Sequence, residues 1–241
     1  MRLAVSYLAT GKGDEKGCLR VLETHAHAMA LYSWFSDRDL LLCKSWFWTA
    51  SRLQVKRMSL VERSGWSGAT STFRSLDVSC TDDASLKYEL GSIIAAMHAR
   101  PESEPLSFIS EQIGLMLQGA FDSAAAAAAR NLLYIEDTAS KSIFLPDIAV
   151  LKAMHEGSDL DLELALKKLC EASLSSPRRR VEDGFTEDLI SSPATIYLRL
   201  CWAMGRTINI QDDLVPIAWM AEVPCDRYTF QFSELESYLG F

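Results

Sequence analysis

Apolar residues recur every three to four positions along almost the whole chain, and strict alternation is nearly absent, so the pattern predicts helices throughout. From about Glu15 to Phe35 the stripe runs through Leu19, Leu22, Ala26, Met29 and Tyr32. Ser36-Asp37 predicts a helix cap, and DRDLLLCKSWFWTASRLQVKRMSLVERS then carries a second stripe for roughly seven turns. Trp46, Phe47 and Trp48 are consecutive and point in different directions around a helix, which predicts neighbours on more than one face.

Breaks in the periodicity place the remaining elements. SGWSGATST (64–72), rich in Gly, Ser and Thr, predicts a long loop within a break at 64–80, and Thr81-Asp82-Asp83 predicts the cap of a helix reaching about Ala99. Asp82 and Asp83 read most simply as first-turn acids that complement the helix dipole. ARPESEP breaks the chain again before LSFISEQIGLMLQGAF. The alanine run 124–129 has the highest helix propensity available. Pro146 can open a further helix, Gly157-Ser158 separates it from DLDLELALKKLCEASL, and SSPRRRVEDG is a polar break. SSPATIYLRLCWAMG then combines a Ser192 cap, Pro193 in the first turn, an apolar stripe and a Gly205 stop. Short pieces after it, VPIAWM, VPCDRYTF and FSELESYLGF, should pack back over the bundle. The expected fold is all-α: one domain over residues 1–241, a bundle of about nine helices whose pairs can pack in a repeat-like manner.

Composition narrows the function classes. A 49% hydrophobic and 23% charged chain is an ordinary globular one. The net charge of -8 argues against direct binding of nucleic acid, which needs a basic face. Nearly all the excess lies in residues 155–241, with fifteen Asp/Glu against eight Lys/Arg. Six dispersed cysteines without a CxxC pair point to reduced thiols rather than a disulfide framework. With no apolar run of membrane-spanning length and no signal-like N-terminus, the expected location is cytoplasmic.

The search for chemistry yields no site. His25 and His27 are two apart, so on a helix they diverge by roughly 200° and cannot share a metal ion. His98 and His155 are isolated, and HEGSD (155–159) lacks the second histidine of a zinc helix. SGWSG (64–68) is not a nucleophile elbow, and GKGDEKG (11–17) lacks phosphate-loop spacing. Asp212-Asp213 invites comparison with the aspartate motifs that hold magnesium against a diphosphate. No third acid follows at the required spacing, and Pro216 argues against a helix there. The pair is read as the start of a short helix with Pro216 in its first turn. Accordingly the chain is not expected to be an enzyme, and no catalytic residue, cofactor or metal is expected.

Three stretches nevertheless carry a resemblance. PDIAVLKAMHEGSDLDLELALKKL, SSPATIYLRLCWAMGRTINI and DDLVPIAWMAEVPCDRY, between about Phe144 and Tyr228, resemble the immunity protein 49 family of bacterial polymorphic-toxin systems. LLLCKSWFWTASRL resembles the family's aromatic N-terminal helix. The resemblance implies a helical protein that protects its producer by binding a cognate toxin, commonly one delivered by the type VI secretion system and often a nuclease.

An acidic last third suits a basic nuclease groove. The candidate contributors are Asp159, Asp161, Glu163, Glu182, Asp183, Glu187 and Asp188. Arg178, Arg179 and Arg180 stand among them and would oppose a basic partner unless paired with these acids. Trp66 is the alternative anchor. The competing expectations are an all-α scaffold or adaptor without a toxin partner, and an enzyme with an unrecognised helical site. Oligomeric state stays open.

Overall fold

The structure, a computed structural model, describes residues 1–62, 75–98, 105–135, 143–179, 182 and 184–240. Trp66 with its loop, Arg180 and Asp183 lie outside the described residues. Every regular element within them is helical. The first half holds α1 (Arg2–Thr10), α2 (Glu15–Phe35), α3 (Leu40–Glu62), α4 (Ser75–Cys80), α5 (Ala84–His98) and α6 (Pro105–Leu117). The second holds α7 (Phe121–Ile135), α8 (Leu145–Glu156), α9 (Asp159–Ser173), α10 (Ser176–Arg179), α11 (Ser192–Ala203) and α12 (Glu236–Leu239). Three 3-10 turns, at Ile217–Met220, Cys225–Arg227 and Ser233–Leu235, punctuate the last segment. The excess over about nine helices comes from α4, α10 and α12, each six residues or fewer, too short for periodicity to register. No helix among the described residues is long and apolar enough to cross a membrane.

The expected helices form, with local corrections. The cap before α3 is Asp39, not Ser36-Asp37: its Oδ1 accepts the Leu42 N–H at 2.9 Å. The break at 64–80 contains α4, all six residues of which are buried. Ser191 rather than Ser192 caps α11, accepting the Ala194 N–H at 3.4 Å. Pro216 precedes the Ile217–Met220 turn instead of sitting inside it. Gly205 does end the α11 run, in the left-handed region at φ 79°.

Two helices occupy the centre. α3 buries Cys43, Phe47, Ala50, Leu53 and Met58, and also Lys44, Ser45, Thr49 and Ser51, so it is enclosed on several sides as its three aromatics predicted. In α11, ten consecutive residues from Ser192 to Cys201 are buried, which only a helix surrounded by others can satisfy. The segment after α11 closes the fold. Trp219 is wholly buried, its ring edge-on to Phe47 at 5.0 Å and to Trp34 at 6.2 Å. Phe230 and Phe232 pack on Trp48 and Trp46, with centroids 6.2 and 5.8 Å away. Burying each such ring contributes about 1.5–3 kcal/mol.

Polar knots fix how these elements meet. Arg57 of α3 grips Glu23 of α2 with two hydrogen bonds, at 2.5 and 3.1 Å. His27 of α2 meets Asp77 of α4 at 2.6 Å, while His25 packs on Trp46 and Phe232, so the two histidines serve different neighbours. Arg178 of α10 binds Asp147 of α8 at 2.6 Å, and the Tyr197 hydroxyl of α11 donates to the same carboxylate at 3.3 Å.

The most connected knot is Asp82. Its Oδ1 accepts from Arg199 at 2.6 Å. Its Oδ2 accepts from Lys44 at 2.6 Å, the Tyr228 hydroxyl at 2.9 Å and the Val223 N–H at 3.0 Å. Burial pushes this carboxyl up, but Lys44, Val223 and Arg199 together outweigh burial and hold it below the ordinary aspartate value. Asp82 is therefore not the first-turn residue that its sequence position suggested. Asp83 is not in the first turn either: it immediately precedes α5 and caps it, its Oδ1 accepting the Leu86 N–H at 3.0 Å.

Two stability experiments follow. Asp82→Ala leaves Lys44 and Arg199 buried without their carboxylate, so equilibrium unfolding should show a loss of about 3–5 kcal/mol. α5 and α6 cross at Gly91 and Gly114, where a Cβ on Gly114 would lie 2.8 Å from the Gly91 carbonyl oxygen. Gly114→Ala should cost roughly 1–3 kcal/mol. The control Gly184→Ala, where nothing stands in the way, should stay within about 0.5 kcal/mol of the parent.

Candidate functional site

The acids singled out in the sequence fall into two groups. Asp159, Asp161 and Glu163 occupy the first turns of α9, and Glu182, Glu187 and Asp188 lie beyond its other end. A fifteen-residue helix separates them, a span of roughly 20 Å.

The α9 acids are already engaged. Asp161 completes a capping box with Ser158: the Ser158 hydroxyl accepts the Asp161 N–H at 3.2 Å, and the carboxylate accepts the Ser158 N–H at 3.0 Å. Its bonds from the Ser158 side chain and backbone hold it below the usual aspartate value. Asp159 accepts two hydrogen bonds from Arg206, at 2.8 and 2.9 Å. The same guanidinium donates to the Met154 carbonyl at 2.7 Å and ties the end of α8 to the start of α9. Glu163 pairs with Lys167 one turn on, at 2.7 Å. Three carboxylates beside two cations leave this end a weak field.

The loop acids differ from one another. Asp188, in the left-handed region at φ 65°, pairs with Arg179. Glu182 turns inward, and burial pushes its carboxyl up to about 7 against the lowering effects of Ser192, Arg178 and Thr186. Glu187 is exposed between the partly exposed Phe185 and Leu189. Of the arginines that stood among these acids, Arg178 is wholly buried on Asp147 and is not a surface group.

The concave surface lies elsewhere. A groove of about 1120 Å³ opens between the end of α2, the end of α9 and residues 209–218. Trp34, Leu174, Ile190 and Leu214 give it an apolar floor, and Ile217 stands at its edge. Leu174 is 54% exposed and Ile217 39%. Glu171, Asp212 and Asp213 flank it, and Arg38 is the cation on its wall, stacked 5.2 Å over Trp34. The floor is held from behind. The Ser191 N–H donates to the Leu214 carbonyl at 2.8 Å, and Asp212 Oδ1 accepts the Leu214 N–H at 2.9 Å. Beside it the Cys170 thiol is pushed up to about 12, by burial first and then by Asp212, so it is protonated and inert as a nucleophile at neutral pH.

Asp212 and Asp213 thus divide their work: one shapes a turn and the other faces solvent. Sequence reasoning missed this groove because its walls come from positions near 35, 170 and 215. Of the exposed leucines on α9 or just past it, Leu160, Leu164 and Leu174, only Leu174 lines the groove, and nothing in the local sequence singles it out.

No protein-family model, no curated protein and no solved structure matches this chain.

Glu182 gives the loop a pH response. A carboxyl raised in the folded state stabilises most below its unfolded value, near 4.5, and that contribution is lost as pH rises through about 7. Thermal unfolding should therefore show the midpoint of the parent declining, relative to Glu182→Gln, between pH 5 and pH 7.5.

Proposed function

We propose that this protein is an immunity protein, of the kind its C-terminal motifs resemble, that binds and neutralises a cognate bacterial toxin. The toxin is a basic nuclease effector delivered by type VI secretion, and inhibition is by a tight protein–protein complex. The observation that carries the reading is the groove. Its exposed Leu174 and Ile217 offer an apolar contact, and among the described residues that line it Glu171, Asp212 and Asp213 outnumber the cation Arg38.

Such a surface suits an interface physically. Leu174 and Trp34 supply area that loses contact with water on docking, where interface energy concentrates. The carboxylates steer a basic partner and set its register more than they add affinity. The α9 acids Asp159, Asp161 and Glu163, half-neutralised by Arg206 and Lys167, make the weaker contribution. Trp34 and Leu174 are the anchors of this groove, and Trp66, the anchor offered by the sequence, lies outside the described residues.

The test is co-expression of the neighbouring toxin domain with and without this protein, followed by recovery of the tagged protein and whatever accompanies it. Rescue with a stoichiometric complex is expected. Failure to rescue, with a different partner recovered, would transfer the chain to the scaffold or adaptor class.

Within the complex, Leu174→Asp should weaken binding by roughly tenfold or more. Lysine at Glu171 and Asp213 should slow association and flatten its salt dependence, read by stopped-flow mixing at two ionic strengths. Lysine at Asp159, Asp161 and Glu163 should have a smaller effect. The reverse order would move the interface to the start of α9.

A further inference from the structure

The segment that walls the groove begins with an extended stretch. From Thr207 to Gln211 exposure alternates: Ile208 and Ile210 are buried, and Thr207, Asn209 and Gln211 are exposed. That is the period of a β-strand, in a chain whose regular elements are all helical among the described residues. Successive residues of an extended chain also turn their backbone groups to opposite edges. Ile208 marks the inner edge: its carbonyl accepts the Trp202 Nε1–H of α11 at 3.1 Å, and its N–H donates to the Arg206 carbonyl at 3.1 Å. Asn209 and Gln211 therefore belong to the outer edge. Their backbone N–H and C=O groups bond to no other described residue, and both residues line the groove.

These groups decide what can cover the wall. A helix saturates its own backbone. Laid over this edge, it would take water from two donors and two acceptors and return no hydrogen bond. An extended segment carries the missing partners: running antiparallel to the edge, it exchanges a pair of bonds with Asn209 and another with Gln211. Its side chains alternate, so one set meets the apolar floor of Trp34, Leu174 and Leu214 while the other faces water. Asp212 and Asp213 follow the edge directly and Glu171 flanks it, against the cation Arg38 among the described residues of the lining. The outward set is therefore best filled by lysine or arginine.

We infer that the groove takes its partner as an added strand: an extended segment of the partner protein, alternating apolar and basic side chains, paired to the outer edge at Asn209 and Gln211. The inference rests on the groove being the docking surface and adds the form of the segment that enters it. Its test uses no toxin, so a failed rescue and a failed pairing are separate results.

The probe is the hexapeptide Val-Lys-Val-Lys-Val-Lys, acetylated and amidated, titrated into the isotope-labelled full chain at constant ionic strength while amide exchange is followed residue by residue. Saturable binding is expected, with exchange at Asn209 and Gln211 slowed roughly tenfold or more and that of Ile208, already bonded, unchanged. N-methylation of the valines, or in a second peptide of the lysines, removes the donors of one edge at a time without altering charge. One of these peptides should lose affinity roughly tenfold or more and the other keep it. Glutamate in place of lysine should weaken binding by a similar factor, roughly tenfold. Absence of saturable binding, binding without slowed exchange at Asn209 and Gln211, or equal binding by the two methylated peptides would overturn the strand pairing. Equal binding by the glutamate peptide would overturn the basic character of the segment. Pairing without rescue by co-expression would leave this inference standing and give the groove a partner other than the toxin.

Discussion

The fold depends on one half-buried carboxylate. Asp82 joins α3 through Lys44, α11 through Arg199, and the C-terminal segment through Val223 and Tyr228. The two cations extend the bracing: Lys44 also donates to the Ala221 carbonyl at 2.5 Å, and Arg199 to the carbonyls of Ser79 and Met220 at 3.0 and 2.8 Å. Apolar packing brings these elements together without specifying their register, because it is non-directional. A carboxylate with four donors at fixed angles specifies the arrangement, and its desolvation is compensated only when all four are in place.

The groove and the second cavity, of about 710 Å³ and lined by Asp82, Lys87 and Arg199, are two consequences of that bracing. Arg199 and Lys44 fix residues 220 and 221, and the 209–218 segment is bound to the α9–α11 corner through Ser191 and Leu214. What remains open between them is a concave wall with an apolar floor on one side, and on the other a polar cavity against Asp82 and Arg199. Both surfaces combine helix residues with the irregular segment after α11, which polar contacts hold in place. This arrangement lets irregular backbone carry function on a helical scaffold.

Helices were legible in the sequence because periodicity and caps are local. Glu15–Phe35 forms where the stripe runs, and the enclosure of α3 follows from three aromatics in a row. The Asp82-Asp83 pair marks the limit of such reasoning. Capping is decided within four residues, so Asp83 could be understood from its neighbours; the partners of Asp82 lie 38, 117, 141 and 146 positions away. The acids of the last third show the same limit. Their excess is real, but Asp161 is a cap, Asp159 a clasp for Arg206 and Glu182 an inward carboxyl, none of which charge counting distinguishes from a solvated face.

The reach of these contacts along the chain bears on how the protein is made. Lys44 and Asp82 are both available early in synthesis, but Val223 is translated 141 residues after Asp82. At roughly 5–20 residues per second, the carboxylate waits about 7–28 s on the ribosome for its last backbone donor. Through that interval the aromatic face of α3 has no Trp219, Phe230 or Phe232 against it. The nascent chain therefore carries its stickiest helix uncovered for most of its own translation, and holdase chaperones have a defined segment to shield.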